Sequence, residues 1–116
     1  MGATVKNMIG SIVFSEEVLA NLAGLAAMEC YGIVGMASKT AMDGIVQLFK
    51  GENLSKGVKV SVDGNNLSIH LYIAVKYGVS MPAVAENVVD TVKYKVEKLT
   101  GLSVANLDVT ISDIRL

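Results

Sequence analysis

The sequence predicts an α+β domain of element order β-α-β-β-α-β, with a mostly antiparallel sheet and two helices packed on one of its faces. Three observations carry this. Apolar residues recur at three- and four-residue steps in two segments, Ser15 to about Tyr31 and Pro82 to Leu99. They alternate residue by residue in two others, Val58 to Val62 and Leu67 to Tyr77, joined by the reversal Asp63-Gly64-Asn65-Asn66. Leu107, Val109 and Ile111 alternate once more near the end. With a short first strand over Ile12 to Phe14, the right-handed crossover rule brings both helices to one side of the sheet.

After that first strand, Ser15 offers a hydroxyl ahead of Glu16 and Glu17, the pattern of a capped helix start with acids in its first turn. Val18, Leu22, Leu25 and Met28 fall on one stripe, expected to face the core, and Ala20, Ala23, Gly24, Ala26 and Ala27 widen it. Gly32 is expected to end this helix. Gly35 to Gly57 reads as an irregular insertion carrying a short amphipathic helix, with Met42, Ile45, Leu48 and Phe49 on its apolar side. In the longest strand Leu67, Ile69, Leu71, Ile73, Val75 and Tyr77 are expected inward, and Ser68, His70, Tyr72, Ala74 and Lys76 outward. Ser80-Met81-Pro82 opens the second helix, Val84, Val88, Val92, Val96 and Leu99 form its core stripe, and Thr100-Gly101 stops it.

The 116 residues are expected to form one domain, large enough for a single core. Hydrophobic residues make up 52% of the chain, so a membrane span has to be weighed. The best stretch, Val18 to Ser38, contains Glu29, Asn21 and three glycines. An acid near mid-bilayer costs about 2.5–3.5 kcal/mol, so the segment reads as a buried helix with no direct membrane span. No basic start, apolar core and cleavage site of a signal peptide is present, and the single cysteine permits no internal disulfide, so cytoplasmic residence is expected. A net charge of -1, without a block of like sign, argues against binding nucleic acid or anionic membranes by electrostatics alone.

Residues able to do chemistry are scarce, and none is assigned as catalytic, cofactor-binding or metal-binding. Cys30, near the end of an apolar helix with no His or Lys beside it, reads as a buried, inert thiol. His70, alone on the polar face of a strand, reads as a surface side chain, because a ligand or base needs a second group at a set spacing. Gly32-Ile33-Val34-Gly35 matches the GxxG loop with which KH modules clamp an RNA backbone, but its interior and flanks lack basic residues. A KH-like nucleic-acid-binding module is therefore the alternative functional reading. Met42, Ile45, Leu48 and Phe49 form the candidate interaction surface, against the ordinary reading in which they cover the core.

Leu22-Ala23-Gly24-Leu25-Ala26-Ala27 followed by Tyr31-Gly32-Ile33-Val34-Gly35-Met36 resembles the first helix and turn of the alkaline-shock, envelope-stress-response protein family of Gram-positive bacteria. Lys56-Gly57-Val58-Lys59-Val60, the run Tyr77-Gly78-Val79-Ser80-Met81-Pro82 and Leu99-Thr100-Gly101-Leu102 are similar to later stretches of that family, in the same order. The resemblance implies a small cytoplasmic, non-catalytic protein of cell-envelope homeostasis without a cofactor. It implies a membrane-anchor protein or a fatty-acid-kinase-type protein as partner and a position near the membrane through a partner, and the chain is expected to be a homo-oligomer. The expected function is that of an interaction or scaffolding module.

Overall fold

In a computed structural model of the chain, the sheet is organised around its longest alternating strand. The structure describes residues 2–7, 10–37, 48–49 and 51–116. The elements are β1 (Gly2–Asn7), β2 (Gly10–Ser15), α1 (Glu16–Met28), β3 (Ile33–Ala37), β4 (Leu48–Phe49), a 3-10 helix (Gly51–Gly57), β5 (Val58–Asp63), β6 (Asn66–Lys76), α2 (Met81–Thr100) and β7 (Ser103–Arg115). One edge of β6 carries β5 antiparallel along Asn66–Leu71 and then β3 antiparallel along Ile73–Val75. Its other edge carries β7, parallel over the full length of β6. β4 adds two residues outside β3. The expected α+β class and the approximate β-α-β-β-α-β order are therefore present.

The first strand departs from expectation. Ile12 to Phe14 lies in β2, which pairs with β1 in a separate two-stranded sheet, and it is β3 that pairs with β6. Gly35-Met36-Ala37, read from sequence as the start of an irregular insertion, is thus strand. Its register with β6 shifts between Ile33 and Gly35, and Met36 and Ala37 are buried consecutively, so no two-residue alternation marks it. Of the remaining insertion, Leu48–Phe49 is strand and Gly51–Gly57 is 3-10 helix; residues 38–47 and 50 lie outside the described residues.

The core forms where α1 and α2 cover one face of the sheet. Leu67, Ile69, Leu71, Ile73 and Val75 are buried as the alternation requires. Tyr77 is exposed, because β6 ends at Lys76 and Gly78, at φ +92°, turns the chain. Ala74, expected outward, is buried between flanking β3 and β7. On α1 the buried face is Leu19, Ala20, Ala23, Gly24, Ala26 and Ala27, while Val18 and Leu25 are 46% and 54% exposed. The small residues win the core because of close approach: a Cβ on Gly24 would stand 2.9 Å from the Cβ of Leu54. On α2, Val84, Val88, Val92 and Val96 are buried, Leu99 is exposed, and Thr100 takes the last inward position.

Candidate functional site

Two turns distant in sequence meet beside the start of α2. The backbone N–H of Lys76 donates to the carbonyl of Gly32 (2.8 Å), tying the turn after α1 to the end of β6. Gly32 sits at φ +89°, and a Cβ there would lie 3.1 Å from Val84 Cγ2 and 3.2 Å from Val79 Cγ1. Both the backbone conformation and the space call for glycine. On the other side, the N–H of Tyr77 donates to the carbonyl of Arg115 (2.7 Å), fixing the connection to the end of β7. Helix α2 then begins with Ser80 as N-cap, whose hydroxyl makes no capping bond, and Pro82 stands in the first turn, where a missing N–H costs nothing.

Between these turns lies a cleft of about 480 Å³, lined by Tyr31, Lys76, Tyr77, Gly78, Val79, Ser80, Ala83, Val84 and Asn87. Tyr31 and Tyr77 are 77% and 68% exposed. Two exposed phenol rings over valine and alanine walls give large, stiff, amphipathic contact area, the kind of surface that is enriched where proteins meet other molecules. The polar groups within it are the Ser80 hydroxyl, the Asn87 amide, the Lys76 ammonium and the phenols; no His, Cys, Asp or Glu lines it. The arrangement is equipped to hold a partner by apolar contact and a few hydrogen bonds.

The residues singled out from sequence lie elsewhere. Cys30 is buried, with Sγ 3.8 Å from the Ala26 carbonyl and 3.9 Å from that of Asn87. His70 is on the open face of the sheet, stacked on Tyr72 (centroids 4.4 Å apart, rings 2° from parallel), with Nε2 2.6 Å from Thr110 Oγ1. Lys59 and Asp108 flank it on β5 and β7. Ile33 and Gly35 pair with Val75 and Ala74 of β6, so Gly32 to Gly35 runs into a strand instead of forming a nucleic-acid clamp loop. Met42 and Ile45 lie outside the described residues. Leu48 and Phe49 pair with Ala37 and Met36, and Leu48 is half-buried. No group of three or more His, Cys, Asp or Glu side chains is placed to hold a metal ion among the described residues, and no helix among them is long and apolar enough to cross a membrane.

Sequence reasoning did not select the cleft, although a signal was present. The dipeptide Tyr-Gly occurs at Tyr31-Gly32 and again at Tyr77-Gly78, each followed by a β-branched residue. Both glycines have positive φ and both tyrosines are exposed.

Comparison with known proteins places this geometry in context. The model of the alkaline shock protein 23 family, described as having a cell envelope-related function, matches residues 4–116. The chain is 41% identical to YloU of Bacillus subtilis (strain 168), over 100% of this chain and 98% of that protein. It is 33% identical to YqhY of the same organism, over 92% and 78%. A Streptococcus pyogenes serotype M3 protein named as a stress response regulator gls24 homolog is 24% identical, over 91% of this chain and 59% of that protein. Among solved structures, the copper form of a MamM CTD variant superposes with a TM-score of 0.53 at 16% identity, over 88% of this chain and all of that one, a likeness of fold alone.

Proposed function

The chain belongs to the alkaline shock protein 23 family, whose function is cell envelope-related, and from that premise we propose that it is a non-catalytic, self-associating interaction module of cell-envelope homeostasis and envelope stress response. The observation that carries this reading is the cleft. Tyr31 and the Lys76 to Ser80 turn, distant in sequence, converge on one open, aromatic, apolar-walled site. Its side chains suit holding a partner, and no His, Cys, Asp or Glu stands among them. Placement at the membrane then comes through that partner, a membrane-anchor protein or a fatty-acid-kinase-type protein, and the chain itself works in the cytoplasm.

The test is complementation. In cells lacking the gene and grown under alkaline envelope stress, Tyr31→Ala combined with Tyr77→Ala should abolish protection while the purified variant keeps its thermal transition within a few degrees. Cys30→Ser and His70→Ala should protect like the native chain. Full protection by the double tyrosine variant would remove the cleft from the function, and loss with a folded His70 or Cys30 variant would restore an enzymatic reading.

The apolar set Met42, Ile45, Leu48 and Phe49 belongs to the same proposal as a further contact surface. Burying one large apolar side chain at an interface contributes about 1.5–3 kcal/mol. Leu48→Glu should therefore weaken capture of that partner roughly ten- to a hundredfold by pull-down titration, with the fold retained. Unfolding of that variant instead would assign the residue to the core.

A further inference from the structure

We propose that β7 is the surface through which the chain self-associates, its outer edge pairing antiparallel with the same edge of a second copy about a two-fold axis at Val109. This rests on the self-association proposed above and names its interface. β7 is the end strand of the sheet: it pairs with β6, and no other strand among the described residues pairs with it. It carries one extra residue between the partners of Leu67 and Ser68 and another between those of Ile73 and Ala74, so Asn106 to Ile111 is the uninterrupted stretch. An open edge of this kind presents backbone donors and acceptors that template a further strand. Along it, Leu107, Val109 and Ile111 pack against the core from the helix side yet are only half-buried, while Asn106, Asp108 and Thr110 are exposed on the opposite face. A strand laid outside β7 would complete the burial of that apolar row.

Self-pairing has few registers open to it, because residues directly opposite must share a face. An axis at Asp108 sets the two Asp108 carboxylates against each other, a destabilising like-charge pair. An axis at Thr110 sets Leu107 against Asp113, beyond the second irregularity of the strand. An axis at Val109 places Leu107 opposite Ile111 of the partner subunit and Asp108 opposite the partner's Thr110. The apolar row then runs unbroken through the axis and the carboxylates stand apart. The edge is complementary to itself in this register, which selects a second copy as its occupant and yields a closed dimer.

Sedimentation equilibrium on the full chain tests this through Thr110, which is exposed. Thr110→Ala removes the contact with His70 Nε2 without adding charge and is the reference. Thr110→Lys would face each Asp108 with an ammonium across the axis and should tighten the dimer about two- to thirtyfold, the effect of two symmetry-related cross-strand pairs. Thr110→Glu should loosen it by a similar factor. A native chain that stays monomeric at every concentration overturns self-association itself. A dimer indifferent to both charges, or loosened by both, leaves self-association standing and overturns this edge and register.

Discussion

Gly32 concentrates three demands in one residue: its φ of +89° turns the chain from α1 into β3, its carbonyl accepts from Lys76, and its missing side chain leaves room for Val79 and Val84 under the cleft. An L-residue held in the left-handed region costs about 1–3 kcal/mol. Gly32→Ala should therefore destabilise the protein by roughly that amount in urea unfolding, with the contacts at 3.1 and 3.2 Å adding to the strain. A loss below about 0.3 kcal/mol would mean that the turn relaxes freely. At this scale the sequence was partly legible. Gly32 was visible as a break in the chain, but its role as the floor of a site depended on valines that only the fold brings to it. The inward set of β6 could be read directly, since each residue's face follows from its parity. Tyr77 broke that parity because the strand stops one residue before it.

At the scale of elements, the end of α2 shows how a polar residue can hold a core position. Thr100 is buried; its hydroxyl donates to the Val96 carbonyl (2.6 Å) and accepts from the Leu102 N–H (3.1 Å), while Gly101 at φ +74° caps the helix. Thr100→Val keeps the shape and leaves that N–H without its acceptor, at a cost of about 1–3 kcal/mol. Thr100→Ser should recover most of the loss, and equal stability of all three in chemical denaturation would show that the bond contributes nothing. The ion pair between Lys95 and Glu29, which links α2 to the turn after α1, has both side chains well exposed and is worth far less. Helix α2 was legible because four valines on one stripe outweigh every alternative. Helix α1 was legible as a helix but not in its facing, since its larger side chains suggested one stripe and the close approach of Leu54 and the sheet selected the alanines. β3 escaped notice because a shift in register removes the alternation by which strands are recognised.

For the whole molecule, charge separates the two readings of function. A chain with a net charge of -1 has little to attract a polyanion, and binding to nucleic acid draws most of its strength from neutralised phosphates. Single-stranded RNA titrated at low salt should leave fluorescence anisotropy unchanged; binding that falls steeply with added salt would revive the KH-like alternative. The same scale divides what sequence alone could determine from what it could not. The hairpin β5–β6, helix α2, the inward face of β6 and the family were readable in the chain. The structural elements among these are each written in a local period that repeats wherever one face is buried and the other wet, and the family in short runs of residues kept in order. Three matters were decided only in three dimensions: that β3 and not β2 lies beside β6, that α1 packs through its alanines, and that Tyr31 and Tyr77 share a cleft. The reason is physical. A bulged strand, a close contact between small residues and the meeting of two turns are set by distances between segments far apart in sequence, and no local period records them.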